Sequence, residues 1–277
     1  MASKKLPAYE QRLCLFLDIL GFKSLIGDSL NEPSDAARKM SFMGAMTVPR
    51  IHSALSMINR AMTSSLPGLG DSIKTSKQVT QFSDSIVVSY SLKERGAVFE
   101  MLYDIYLLQL DLIQRGLLVR GAIASGPLFH DSQVVFGPAL VDAAELEKIA
   151  MYPRVILDRD IVNLGSVDMH GDPNQTIQSL IKQDLDGMYF IDYFGVSPGE
   201  FDGGWDDLVQ HQIQLREIIK KLSRLTRSHS IRLKHSWMRQ KFNDVALPME
   251  KSRFTRFNEL SIPDDVQSAF MSAGPFK

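Results

Sequence analysis

The chain has 277 residues, 44% hydrophobic and 23% charged, with a formal net charge of −1 at pH 7. That length holds one large domain or two small ones, and the composition supplies a substantial core and excludes global disorder. The near-zero charge gives no overall drive toward nucleic acid or anionic membranes, and a single cysteine, Cys14, excludes any intrachain disulfide.

The N-terminal run Met1-Ala2-Ser3-Lys4-Lys5-Leu6-Pro7 is not followed by a signal-peptide core, because the first apolar stretch carries Asp18. With the lone thiol, this sets the expectation of a cytoplasmic protein. Leu13 to Leu17 reads as a buried strand, and Cys14 inside it as a buried structural thiol. Gly21 makes a turn and Phe22 to Ile26 a short helix, after which Asp28 to Asp35 is polar and broken by Pro33. Arg50 to Met62 places Ile51, Leu55 and Ile58 at helical spacing, and Pro67 to Gly70 ends that helix. Gln78 to Phe82 and Ile86 to Tyr90 read as two strands joined through Ser83-Asp84-Ser85, a tight hairpin with a carboxylate at its tip.

Val98 to Ile113 is the strongest helical segment, closed by Gly116. The apolar stretch Val98 to Leu118 contains Glu100, Asp104, Asp111 and Arg115, which makes it a buried amphipathic helix and not a membrane span. Leu117 to Ala124 reads as a strand, and Gly126 to Gly137 as a hairpin arm returning through Val134-Val135-Phe136. Pro138 starts a helix through Ile149, and Val155 to Leu157 and Tyr189 to Ile191 are short strands. Further on the charge segregates: seven acids and no Lys or Arg from Asp184 to Asp207, then nine Lys or Arg and only Glu217 from Arg216 to Lys241. Such a basic helical face suits a triphosphate, a nucleic acid or an acidic partner. A solvated helix neighbouring the acidic segment explains it more simply.

Two aspartates interrupt strand-like apolar runs: Asp18 in Leu15-Phe16-Leu17-Asp18-Ile19-Leu20-Gly21-Phe22 and Asp84 in Thr80-Gln81-Phe82-Ser83-Asp84-Ser85. A charge there is costly unless something pairs with it. Two carboxylates about 4 Å apart repel by about 4 kcal/mol at an effective dielectric near 20, which a divalent cation between them would turn into a binding site. Amides in the Gly21 turn, at a helix start, suit phosphate. Taken singly, Asp18 is also explained as a helix cap and Asp84 as a turn residue; their joint occurrence with the glycine turn favours metal. Strand alternation puts Phe16 and Phe82 on the faces of Asp18 and Asp84, where each is either a core aromatic or a platform for a base. Thr80 shares that face and suits the edge of a pyrimidine. The six histidines show no zinc-ligand spacing, and no Walker A loop or nucleophile elbow occurs.

The order of these motifs resembles the catalytic domain of class III nucleotide cyclases over roughly residues 12 to 160. Leu17-Asp18-Ile19-Leu20-Gly21-Phe22 is similar to the family's Asp-Ile-x-Gly-Phe metal and phosphate motif. Phe82-Ser83-Asp84-Ser85 is similar to its Gly-Asp hairpin, with Ser83 in place of Gly. Arg120-Gly121-Ala122-Ile123-Ala124-Ser125-Gly126, Phe136-Gly137 and Val141-Asp142-Ala143-Ala144-Glu145-Leu146-Glu147 resemble the dimerisation-side strands and the helix that follows. The resemblance implies two ions per site, Mn2+ or Mg2+, held by Asp18, Asp84 and the Ile19 carbonyl, with Leu20, Gly21 and Phe22 on the phosphates. Arg120 is either a phosphate ligand or half of a structural salt bridge.

Departures from the family bear on substrate. Thr80 stands where adenylate cyclases carry a base-selecting Lys and guanylate cyclases usually a Glu. The second base-selecting position falls among Gln133, Val134 and Val135, with no acid, and the family's later Asn and Arg align with Val141 and Glu145. The pattern, including Trp237-Met238-Arg239-Gln240-Lys241-Phe242-Asn243, is most similar to the bacterial pyrimidine cyclases of antiphage signalling systems. The expected fold class is therefore α/β in the broad sense, an α+β sandwich. It has a mixed, mainly antiparallel sheet flanked by helices over residues 1–195 and a C-terminal helical extension over 196–277. The expected activity is conversion of UTP to cyclic UMP by a homodimer, with the product read by a separate effector and with no nucleic-acid or membrane partner. CTP as substrate, a purine substrate, a catalytically inactive nucleotide sensor and a two-metal phosphohydrolase remain as alternatives.

Overall fold

The structure is a computed structural model, and it describes residues 8–30, 47–63, 76–167, 177–224, 228–259 and 274–276. The polar break at 31–35, the helix stop at 67–70 and His170 lie outside the described residues. The chain divides into two compact units, Met1–Leu108 with Leu118–Ile191, and Gln109–Leu117 with Asp192–Lys277.

The first unit contains one mixed sheet. Its strands are β1 (Glu10–Ile19), β2 (Gln78–Phe82), β3 (Ser85–Ser91), β4 (Val119–His130), β5 (Val135–Phe136), β6 (Val155–Leu157), β7 (Ile181–Gln183) and β8 (Tyr189–Ile191). The strand order is β2-β3-β1-β4-β6-β8-β7, with β5 on β4. Among the described residues only β4 and β6 pair in parallel, and the other pairings are antiparallel. Helices α1 (Phe22–Leu30), α2 (Val48–Thr63), α3 (Ala97–Gln114), α4 (Pro138–Ile149) and α5 (Arg159–Val167) connect the strands, with the last residues of α3 counted in the second unit. The expected α+β class, mixed and mainly antiparallel, is borne out.

Strand β1 is long because its residues are apolar on both faces: Leu13, Cys14, Leu15 and Leu17 are fully buried. Burial pushes the Cys14 thiol up to about 12, although the Arg12 charge opposes the shift. It is therefore an inert core group. Cys14 joins Val87, Ala124, Leu128, Ala139 and Ala143 in a cluster that carries α4 against the sheet. The helix begins at Pro138, where a proline costs no hydrogen bond, and its residues Ala139 and Ala143 allow close approach.

The structure extends several predicted elements. Helix α1 continues to Leu30 and β1 reaches from Glu10 to Ile19, while β4 runs through to His130, so the returning arm is only the two residues of β5. Strand β7 and helix α5, too short or too mixed in pattern to stand out, were not anticipated. Among the described residues no helix is long and apolar enough to cross a membrane.

In the second unit, α6 (Trp205–Arg224) and α7 (His229–Glu259) divide the basic stretch that the sequence reads as one helix. His211 Nε2 lies 2.9 Å from the Tyr193 carbonyl oxygen, and Phe194 meets Trp237 edge-on. Part of the basic charge has a local role: Arg216 donates to the Gly274 carbonyl and covers the Phe276 ring, and Lys220 pairs with Glu217.

Gly121 of β4 sits opposite Leu17, and a Cβ there would lie 2.7 Å from the Phe16 carbonyl oxygen and 3.2 Å from Leu17 Cα. Backbone cannot yield as a side chain can, so Gly121→Ala is expected to destabilise the protein by about 1–3 kcal/mol. Urea denaturation measures this; a change within about 0.5 kcal/mol, the range of ordinary surface substitutions, would show that β1 and β4 are not packed this closely.

Candidate active site

Asp18 is the penultimate residue of β1, directly opposite Ser85 of β3 on one side and Arg120 of β4 on the other. Its side chain is half-buried, and its Oδ1 accepts a hydrogen bond from the Ser85 hydroxyl at 3.1 Å. Asp84 lies in the two-residue turn between β2 and β3, with its carbonyl accepting from the Ile19 amide at 3.2 Å. That backbone bond ties the hairpin tip to the end of β1 and brings the two aspartates, 66 positions apart in sequence, to one corner of the sheet.

The electrostatics agree. Burial is the main reason that the Asp18 carboxyl is held above its ordinary value, with the Ser85 hydrogen bond opposing it. The negative charges of Asp84 and Glu147 raise it further, and Arg120 pulls it down. Arg120 forms an ion pair with Glu147, a buried residue of α4. The salt-bridge reading of Arg120 is therefore the one the structure supports. The pair is nonetheless part of the corner, because both charges act on Asp18.

Ser83 adopts φ +57°, in the left-handed region. Glycine is the residue that takes this conformation without cost, which explains why a Gly-Asp hairpin would carry one here. At Gly21 the φ is +75°, and an added Cβ would touch nothing within 4 Å; the need for glycine is conformational there, not steric. The Gly21 carbonyl accepts from the amides of Ser24 and Leu25 and so opens α1.

Of the three amides proposed for phosphate, that of Leu20 is already committed to the Leu118 carbonyl at 2.8 Å, as an extension of the β1–β4 ladder. The amides of Gly21 and Phe22 have no partner among the described residues. Phe16 packs against the Cys14–Val87 cluster and is a core aromatic. Phe82 differs: it is 51% exposed beside Ser85, on the face of Asp18. Asp84 itself is in the turn, so strand alternation relates Phe82 to Asp18 and not to Asp84. Ile19 is buried at the end of β1. Val141 and Glu145 both lie on the exposed side of α4, and Val134 is exposed in the loop before β5. A cleft of about 510 Å³ lined by Leu55, Ser56, Asn59, Arg60, Gln81 and Ser83 opens beside the hairpin. Gln81, on the opposite face from Thr80 and Phe82 by alternation, and the turn residue Ser83 form its hairpin wall.

Several participants were not assigned from the sequence. Ser85 was legible only through its register with Asp18. Glu147 falls at four-residue spacing from Ala139 and Ala143 on the buried stripe of α4, and a charge on a buried stripe is itself a signal. Thr80 Oγ1 lies 3.0 Å from His130 Nε2, whose Nδ1 is 2.8 Å from Ser89 Oγ. No sequence pattern announces that contact, because the three residues come from three strands.

Comparison with known proteins adds the following. The chain matches no protein-family model and no curated protein. Among solved structures it is similar to the adenylyl cyclase CyaB from P. aeruginosa at 14% identity and a TM-score of 0.40, covering 68% of this chain and 96% of that one. A bacterial light-regulated adenylyl cyclase gives 14% identity and a TM-score of 0.41, covering 76% of this chain and all of the other. A class III adenylyl cyclase-like ATP-binding protein from Pseudomonas aeruginosa gives 14% identity and a TM-score of 0.42, covering 72% of this chain but only 40% of that one. At this identity and degree of superposition the likenesses assign no activity to this chain.

Two measurements test the site as described. Left-handed backbone costs a non-glycine residue about 1–2 kcal/mol, so Ser83→Gly is expected to raise the urea midpoint; an unchanged or lowered midpoint would contradict the Ser83 conformation. Burial pushes both His130, with help from the Arg12 charge, and His211 down to about 4. Because their folded values lie below the unfolded one of about 6.5, the unfolded chain takes up protons first as pH falls. Stability should be insensitive to these groups above about pH 7 and decline from about 6.5 toward 4. Asp18 acts in the opposite sense, gaining stability only as pH falls into the carboxylate range. Urea midpoints that stay flat between pH 7 and 5 would contradict the burial of these histidines.

Proposed function

We propose that the protein is a metal-dependent pyrimidine nucleotide cyclase that converts UTP to cyclic UMP and pyrophosphate. The observation that carries this reading is the corner where Asp18 and Asp84 meet beside the start of α1, with the Asp84 charge felt by Asp18. In the reaction the ribose 3′-oxygen bonds to the α-phosphorus, the bond from that phosphorus to pyrophosphate breaks, and the 3′-hydroxyl proton is lost.

The residues fit a divalent cation. Asp18 is half-buried, with its carboxyl raised by burial and by neighbouring negative charge, and a cation would relieve that cost. Asp18 and Asp84 would hold Mn2+ or Mg2+, which share ligation between one or two carboxylates and substrate phosphates. Among the described residues no group of three or more His, Cys, Asp or Glu gathers into a metal site, so phosphate oxygens would complete the ligand set. When bound, the ions supply acidification of the 3′-hydroxyl and neutralisation of the leaving group.

The protein's own groups have separable roles. Ser85 fixes the Asp18 carboxylate through its hydroxyl. The amides of Gly21 and Phe22, at the N-terminus of α1, receive phosphate oxygens. Phe82, exposed on the Asp18 face, offers a surface for the base. The Arg120–Glu147 pair sets the field behind Asp18 without adding net charge.

The homodimer proposal is supported by exposed apolar side chains at Tyr9, Val134, Phe136 and Val141, with Tyr9 and Phe136 in edge contact. The role in antiphage signalling, with cyclic UMP read by a separate effector in the cytoplasm, rests on the motif pattern described above. A second reading, a nucleotide-sensing module without turnover, is favoured by Val141 and Glu145, neither of which replaces the charge or hydrogen bonds of an Asn and an Arg.

Purified protein incubated with each of the four nucleoside triphosphates and Mn2+ is expected to yield cyclic UMP, detected by mass spectrometry. Asp18→Ala and Asp84→Ala should each lower the rate by more than about a hundredfold, the scale of losing one electrostatic stabiliser. Cyclic AMP or cyclic GMP as the main product would overturn the pyrimidine assignment. No product with any of the four would favour the sensor.

A further inference from the structure

We infer that Glu147 is a positioning residue: it holds Arg120 off Asp18 and so keeps the Asp18 carboxylate open to a cation. The cation rests on the metal reading above; the competition between the two carboxylates for Arg120 does not.

The register makes Arg120 the expected partner of Asp18. The two are directly opposed in the β1–β4 ladder, as are Phe16 with Ala122 and Cys14 with Ala124. Alternation puts all six on one face of the sheet, the face on which Cys14, Phe16 and Ala124 pack with Ala139 and Ala143 of α4. Opposed residues of an antiparallel pair bring their Cβ atoms to about 5 Å, and opposite charges placed there attract. Yet Asp18 takes its hydrogen bond from Ser85, on the other neighbouring strand. Among the described residues no hydrogen bond or ion pair joins Arg120 to Asp18.

Glu147 accounts for the missing pair. It follows Ala139 and Ala143 at four-residue steps along α4, and all three are buried, so they share the helix face that meets the sheet. One turn beyond Ala143 its carboxylate meets Arg120, whose Nε and Nη2 both converge on Glu147 Oε1. Burial decides between the two carboxylates. The Glu147 side chain is only 7% exposed, whereas Asp18 is half-buried, and an unpaired charge costs more where less water reaches it.

Charge balance gives the arrangement its use. With Arg120 and Glu147 cancelling each other, Asp18 and Asp84 keep two uncompensated negative charges, which match one divalent ion. With Arg120 turned to Asp18, one of the two would be cancelled and a cation would have to displace the guanidinium. Asp18 lies within the field of both members of the pair, so the distance to be covered is short.

The test is a cycle of Glu147→Met, Arg120→Met and the double variant in the full chain, read by Mn2+ titration with electron paramagnetic resonance. Asp18→Ala identifies the signal that belongs to the site. A nearby opposite charge shifts the proton equilibrium of a carboxylate by about tenfold or more, and a metal ion meets the same competition. Glu147→Met is therefore expected to weaken Mn2+ binding at least tenfold on that scale. Adding Arg120→Met should restore it to within about twofold of the unaltered protein, the usual scatter of independent effects, while Arg120→Met alone changes it little. Equal effects of Arg120→Met in both backgrounds would mean that Glu147 acts only through its field, and overturn the inference. A second cycle needs no metal. In protein stripped with EDTA, Asp18→Asn removes repulsion and should hold or raise the urea midpoint; in the Glu147→Met background it removes the new partner of Arg120 and should lower it. A shift of the same sign in both backgrounds also overturns the inference. If the unaltered protein takes up no Mn2+, the metal reading falls and the urea cycle alone decides the inference. If Glu147→Met does not fold, Glu147→Gln replaces it in both cycles, with the same directions expected.

Discussion

The backbone hydrogen bond from the Ile19 amide to the Asp84 carbonyl is the contact on which the candidate site depends. It forms only because β1 lies between β3 and β4 and is held over most of its length on both sides. A central strand buried on both faces has little freedom to slip, since a one-residue shift would turn every side chain to the wrong face. With the register set, Asp18 faces Ser85 and Arg120, and the hairpin tip has one place to go. The close approach of β4 at Gly121 is part of the same constraint.

Charge near Asp18 is arranged so that repulsion is contained and not removed. The Arg120–Glu147 pair is largely buried, and such pairs contribute little net stability because desolvation offsets their attraction. Its value here is positional: a cation and an anion held behind Asp18 leave the carboxylates of the corner without a neutralising partner of their own. A half-buried carboxylate in that state has a standing free-energy reason to take up a cation. The Arg12–Ser89–His130 network on the same sheet shows a different use of burial. Arg12, Ser89 and His130 are buried together, and their polar atoms meet one another instead of being left unpaired.

Much of the fold was legible in the sequence because its signals are local. Pro138 marked the start of α4 to the residue, and the apolar runs marked β1 and the hairpin. Elements of three residues, such as β7, carry too few positions for a period to be read, and the basic stretch from Arg216 to Lys241 hid the break between α6 and α7 because charge does not report helix ends. At the site, Asp18, Asp84 and the Gly21 turn were legible because a charge or a glycine in an apolar run is anomalous in its own segment. Phe16 and Phe82 were indistinguishable on that basis, and burial separated them. The Leu20 amide was not distinguishable from those of Gly21 and Phe22, because its backbone partner, Leu118, is distant in sequence.

The sequence by itself determined which segments are strands and helices, where a carboxylate interrupts them, and that the thiol is buried, since each depends on residues within a few positions of one another. Tertiary structure alone decided that Ser85 and Glu147 act on Asp18, that Arg120 is paired, and that Thr80 meets a neutral histidine. Those facts are distances between side chains on different strands. They follow from the sheet register, which depends on the packing of the whole core and on no single stretch of sequence.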